Sequence, residues 1–219
     1  MPRIPLSITT PSDVQVGLWR MDESEDEILH ANPSLYSLLP DISFMKSQTR
    51  RLERLAVAAL LESMFGQAVP VEHNDAGRPF LDNGYEIGIS HTRGYAVVIV
   101  SKKHNVAVDM EYMNDRVMRI ARRFLREDES LTTVKELLLC WCAKETLYKL
   151  HSDDRLAFQE MRTHGIRNDG NLEGRFTIDN LKRGITVEMS YLSTQSYILT
   201  IAVEKKVLNK CKKRQNIVW

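Results

Sequence analysis

Two long helical segments, each set among short alternating strands, constrain this chain more than any other feature of its 219 residues. The stretch "SQTRRLERLAVAALLESMFG" carries Leu52, Leu55, Ala59 and Leu60 at helical spacing and stops at Gly66. Before it, "VQVGLWR" alternates like a strand; after it, "GRPFL", "YEIGIS" and "YAVVIVS" are separated by "LDNGY" and "HTRGY", which predicts a small antiparallel meander. The order then recurs. "VAVDME" is a strand, "DRVMRIARRFL" a short helix and "ELLLCWCAKETLYKL" a long one, and "EGRFTID", "GITVEMSYL" and "YILTIAVEK" form a second meander. The expected fold is therefore α+β, with two pseudo-repeated α/β halves over 1–103 and 104–205. Each is a small antiparallel sheet with a long helix, and they join at a pseudo-twofold cleft. The repeat is one of pattern, not of residue identity. Residues 206–219 form a basic tail, "KVLNKCKKRQNIVW".

Composition excludes several function classes. Thirty basic and 29 acidic residues leave a net charge of +1, so no global field marks a nucleic-acid binder and any anion site must be local. The most apolar run, "YAVVIVS", is too short to cross a bilayer, and "MPRIPLSITT" has no secretory pattern, so a cytoplasmic protein with no membrane association is expected. Cys140, Cys142 and Cys211 show neither zinc spacing nor an even count, and are expected to be reduced packing residues.

The chemistry is signalled by carboxylates. In "VAVDMEYM", Val106, Val108 and Met110 alternate with Ala107, Asp109 and Glu111, which describes a half-buried strand with two like charges on one face. On "WCAKETLYK", Trp141, Glu145 and Lys149 are spaced four apart and share a helix face, with Lys144 off to the side. Taken singly, each has an ordinary explanation: a charged outer strand face, and a Glu–Lys surface pair over a packed Trp. If the helix packs across the strand, however, Asp109, Glu111 and Glu145 converge, and three carboxylates make a suitable partial shell for Mg²⁺. Upstream, "GRP" sets Arg78 on a stiffened turn, and "SHT" ends an apolar strand with Ser90 and His91, groups able to bind phosphate oxygens. A single Arg in a turn or a single His at a strand end is more often simply solvated. The order of the four blocks is what adds weight.

"GRPFL", "IGISHT", "VAVDME" and "WCAKETLYK" resemble, in the same order, the signature blocks of the 4′-phosphopantetheinyl transferase superfamily: G-K/R-P, a strand ending S-H-S/T, G-I-D-x-E and W-x-x-K-E-x-x-x-K. The likeness covers about residues 77–149. Chain length and the two halves resemble the larger, surfactin-synthetase-activating type, whose halves imitate two subunits of the trimeric holo-acyl-carrier-protein synthase type, which implies a monomer. The chain departs from the pattern at Ala107, where the family has glycine, at Met110 and at Thr92; no charge of the proposed site is lost.

The resemblance implies transfer of the phosphopantetheine arm of coenzyme A to a serine of an apo-acyl or peptidyl carrier protein, releasing adenosine 3′,5′-bisphosphate. It places Mg²⁺ on Asp109, Glu111 and Glu145, in the C-terminal half, and gives Glu145 the further role of activating the serine, directly or through water. Lys149 would stabilise the phosphate under attack, with Lys144 a weaker candidate. Arg78, Ser90 and His91, in the N-terminal half, would grip coenzyme A. Arg51 would take its 3′-phosphate, in competition with Arg50 and Arg54. Two other readings stay open. A non-catalytic coenzyme A- or carrier-binding protein would need no intact acidic trio, and an Mg²⁺-dependent nucleotide phosphohydrolase would be expected to show more acids or a Gly-rich phosphate loop.

Overall fold

In the computed structural model, which describes residues 3–4, 6, 8–74, 77–167 and 170–206, the alternating segments pair into antiparallel sheets and the helices cover them. In chain order the elements are β1 (Arg3–Ile4), β2 (Val14–Arg20), α1 (Glu25–Ala31), α2 (Leu39–Ser43), α3 (Gln48–Phe65), β3 (Glu72–His73), β4 (Pro79–Phe80), β5 (Glu86–Thr92) and β6 (Tyr95–Ser101). There follow β7 (His104–Tyr112), α4 (Arg116–Phe124), α5 (Val134–Leu150), β8 (Met161–His164), β9 (Glu173–Asn180), β10 (Ile185–Ser193) and β11 (Tyr197–Lys205). The tail beyond Lys206, with Cys211, lies outside the described residues. No helix among those described is long and apolar enough to cross a membrane.

The first sheet runs β1-β2-β6-β5 and the second β7-β11-β10-β9-β8. The β9-β10-β11 meander forms as its pattern predicts. The first forms in part: β5 and β6 pair antiparallel as expected, but "GRPFL" supplies only Pro79 and Phe80, which pair with β3 in a separate two-stranded ribbon, and β2 joins the sheet on the other side of β6. Pro79 has no N–H to give a ladder, which suits it to a short edge and not to a sheet interior.

Local chemistry sets the helix bounds. The Ser47 side chain accepts the Arg50 N–H at the start of α3, and Gly66 ends that helix at φ 74°, a left-handed conformation that favours glycine. Thr133 and Glu136 close a reciprocal capping box on α5. Leu55 and Leu60 of α3 are fully buried against Ala96, Val98 and Val100 of β6, and Leu139 and Leu147 of α5 against Ile178, Met189 and Ile198 of the second sheet. Each such leucine contributes roughly 1.5–3 kcal/mol of transfer free energy.

A third apolar cluster joins the two sheets, with Leu18, Val97 and Ile99 meeting Val108, Met110, Leu199 and Ile201. Here β7 corrects the expectation of a half-buried strand. Its Val106–Met110 stretch is buried on both faces, because α5 covers Ala107 on one side and the first sheet covers Val106, Val108 and Met110 on the other. The sheets approach so closely at this seam that a Cβ on Gly88 of β5 would lie 3.2 Å from Ala107 Cα and 3.3 Å from Val108 N.

Candidate functional site

The acidic strand and the long helix do converge, and two contacts show how they cross. Trp141 donates its indole N–H to Glu111 Oε1 at 3.1 Å, and Lys149 donates to Asp109 Oδ1 at 2.7 Å. α5 therefore runs antiparallel to β7, and Glu145 falls between these two contacts. Trp141 is itself held between Phe124 and Phe158, each with its ring centroid 5.3 Å away. The indole hydrogen bond was not foreseen, since spacing shows which face a Trp lies on but not where its N–H points.

The three acids share one electrostatic field. Burial, then the Asp109 charge and more weakly Glu145, push the Glu111 carboxyl above its usual range, against the opposing pull of the Trp141 hydrogen bond and of Lys149. Burial and Asp109 likewise raise Glu145, and Lys149 opposes them. Asp109 is buried. Its Oδ1 accepts from Lys149 and, at 3.0 Å, from the Ser90 hydroxyl, while its Oδ2 is buried with no hydrogen-bond partner. An unsatisfied buried carboxylate oxygen beside two carboxyls of raised pKa fits an incoming cation. The shell is not pre-assembled, however: among the described residues no three His, Cys, Asp or Glu side chains are grouped closely enough to hold a metal ion. The donor chemistry suits Mg²⁺, and the arrangement has Lys149 on the shared aspartate.

Beside this cluster lies a cavity of about 690 Å³, walled by α3, β5, β7 and the end of α5. Arg50, Arg54, Arg78, His91, Lys149 and Arg155 line it, and Glu53 is the acid among its lining residues. The cationic field is visible in His73, whose pKa is held below the usual value by burial and by the neighbouring Arg54. Lys149 belongs both to this wall and to the acidic cluster.

Not every expected residue reaches the cavity. Arg78 and His91 do; Arg78 is paired with Glu86 at 3.2 Å and His91 with Glu53 at 3.4 Å. Ser90 is buried behind the acids, giving its proton to Asp109 and accepting the Met110 N–H at 3.2 Å, so its hydroxyl positions Asp109 and is not free to grip a phosphate. Arg51 is turned away, bonded through Nε to both oxygens of Glu25 and through a terminal nitrogen to the Met45 carbonyl. Its neighbours Arg50 and Arg54, four apart on α3, line the cavity. Lys144 is the clearest correction. Its side chain has 0% exposure and donates to Glu129 at 2.7 Å and to the Phe124 carbonyl at 2.7 Å, inside the core and out of reach of any ligand. Glu129 was missed because its partner stands fifteen residues away, a separation that no helical or strand period reports.

Cys140 and Cys142 are buried free thiols; burial pushes Cys140 up to about 12 and Cys142 well above the usual thiol value, so neither is a nucleophile. No protein-family model matches the chain, and no curated protein matches it.

Proposed function

We propose that this chain is a 4′-phosphopantetheinyl transferase, moving the phosphopantetheine arm of coenzyme A to a serine of an apo-carrier protein. The observation that carries the reading is Lys149. It joins a cationic cavity large enough for a nucleotide to a buried acidic cluster with an unsatisfied oxygen. The two sheets with their long helices, α3 and α5, are read as pseudo-repeated halves and the cavity as the cleft at their seam, so that one polypeptide supplies both walls as a monomer. A soluble cytoplasmic setting is part of the same proposal.

On this reading Arg50, Arg54, Arg78 and His91 bind the adenosine phosphates and Lys149 the pyrophosphate. Arg78 exchanges its Glu86 contact for a phosphate, which its planar fork matches better than a lysine ammonium does. Asp109, Glu111 and Glu145 would hold Mg²⁺, whose charge would be available to offset that developing on the departing adenosine 3′,5′-bisphosphate. Glu145 takes the serine proton, directly or through a water. The serine oxygen then bonds to the phosphorus that carries the pantetheine, and the bond from that phosphorus to the bridging oxygen breaks. Adenosine 3′,5′-bisphosphate leaves. Lys149, fixed by Asp109 and the Val108 carbonyl at 3.2 Å, stabilises the oxygens of the phosphorus under attack. The exposed Arg116, Arg119, Arg122 and Arg123 of α4, beside Met118 at 53% exposure, offer a basic and apolar face to an acidic carrier.

The test is a panel of apo-carrier proteins incubated with coenzyme A and Mg²⁺ and weighed by mass spectrometry. A phosphopantetheine mass added to a carrier serine is the expected result. Release of nucleotide with no carrier adduct would point to a phosphohydrolase, and binding of coenzyme A with neither product to a non-catalytic binder.

A further inference from the structure

Arg155 is the one non-glycine residue with positive φ among those described, at φ 50°, ψ 49°. Left-handed backbone is unfavourable for an arginine and persists where its surroundings enforce it. Here they do. On one side Asp154 accepts from Asn180 Nδ2 at 2.7 Å and Arg183 at 2.8 Å through its carboxylate, and from Lys182 at 2.7 Å through its carbonyl. On the other side Leu156 is buried in the second core. Between two such anchors the chain turns back sharply, and Arg155 is left exposed on the cavity wall.

The charge pattern of that wall gives the turn a use. Arg78, His91 and Lys149 each face a carboxylate, whereas Arg50, Arg54 and Arg155 form no ion pair among the described residues. Arg50 and Arg54 come from α3 and Arg155 from the loop after α5, so unneutralised guanidinium groups approach the cavity from both sheets' sides. A single anionic group would leave one side uncompensated. A ligand with separated phosphates would engage both.

We infer that Arg155 is a phosphate-binding residue that grips the anionic ligand from the α5 side, complementing Arg50 and Arg54. Resting on the coenzyme A reading of the site, this makes Arg155 a determinant of selectivity for ligands with more than one phosphate. The αL backbone is what brings it to the wall. Its side chain takes no part in the bonds that anchor the turn, so removing it should not loosen the fold.

Calorimetric titration of the full chain with inorganic pyrophosphate and with coenzyme A, alongside thermal melts, tests the assignment on Arg155→Gly, Arg155→Asn and Arg155→Lys. Glycine and asparagine tolerate the left-handed backbone, so both variants should keep or raise Tm while binding pyrophosphate and coenzyme A at least about tenfold more weakly. Lysine should retain part of the affinity and none of the gain in Tm. Unchanged pyrophosphate affinity in the glycine and asparagine variants, or a Tm that falls with affinity, would reduce Arg155 to a helix-ending residue. So would a parent protein that binds neither ligand. A parent that binds pyrophosphate but not coenzyme A, with variants that lose pyrophosphate, would remove the transferase reading and leave the Arg155 assignment standing.

Discussion

Lys144 and Glu129 form a 2.7 Å ion pair in the interior, with side-chain exposures of 0% and 2%. Glu129 Oε1 also accepts from the Thr163 N–H and hydroxyl, each at 2.7 Å. Burial alone would raise its pKa, but Lys144 and these donors outweigh burial and hold it below the usual value. The pair ties α5 to the loop after α4 and to β8. Lys144→Ala strands a buried carboxylate and should cost about 3–5 kcal/mol in denaturant unfolding. The folded fraction should bind pyrophosphate as the parent does. Loss of binding without loss of stability would return Lys144 to the ligand site.

Glu111 should show the opposite behaviour. Its carboxyl is raised by burial, Asp109 and Glu145, so in the metal-free protein the folded state binds its proton more tightly than the unfolded state. The penalty is present at neutral pH and is relieved as pH falls through the raised value toward the ordinary 4.5. Glu111→Gln should therefore raise Tm at pH 7, with the advantage shrinking toward pH 4.5, and should abolish both transfer and stabilisation by Mg²⁺. Differential scanning calorimetry with and without Mg²⁺ reads both. A variant that melts below the parent at pH 7 would show that the acids are already compensated.

Ser90 separates positioning from gripping. Ser90→Ala removes the donor to Asp109 Oδ1 and leaves the buried Met110 N–H unpaired, which should cost about 1–3 kcal/mol of stability. Affinity for adenosine 3′,5′-bisphosphate should stay unchanged, while the Mg²⁺ concentration for half-maximal transfer rises by about 10–100-fold, the scale seen when a ligand's supporting hydrogen bond is lost. A weakened nucleotide affinity measured by calorimetry would place the hydroxyl on the ligand after all.

On α4, Val117 and Phe124 are buried and the four arginines are exposed, so charge can be reversed there without touching the core. Arg119→Glu or Arg122→Glu should raise the apparent KM for an acidic carrier severalfold and flatten its salt dependence, with coenzyme A affinity untouched. Identical carrier kinetics at low and high salt in both variants would move the docking face elsewhere.

How far the sequence reached depended on the range of each signal. A period of two placed Asp109 and Glu111 on one face, and a period of four placed Trp141, Glu145 and Lys149 on another. Those are local facts, and they survived. That α5 runs antiparallel to β7 depends on packing between segments, and so did the burial of both faces of β7. The same range limit misdirected Lys144, whose motif position said nothing of Glu129, and Arg51, whose partner Glu25 lies 26 residues earlier. "GRPFL" failed for another reason: a Pro that cannot donate to a ladder outweighed the apolar pattern around it.

The close passage of β5 along β7 has a consequence for association between molecules. Both strands are at the edges of their sheets, and an unpaired edge is a template on which a second chain can add. Here two outward N–H groups of β7 are already occupied, that of Met110 by the Ser90 hydroxyl and that of Tyr112 by the Thr92 hydroxyl, while the Lys149 ammonium takes the Val108 carbonyl. Hydroxyls and an ammonium thus do for this edge what another strand would otherwise do. The bonds that carry the proposed chemistry also deny the strand to aggregation, and variants that loosen the seam should be found first in the insoluble fraction.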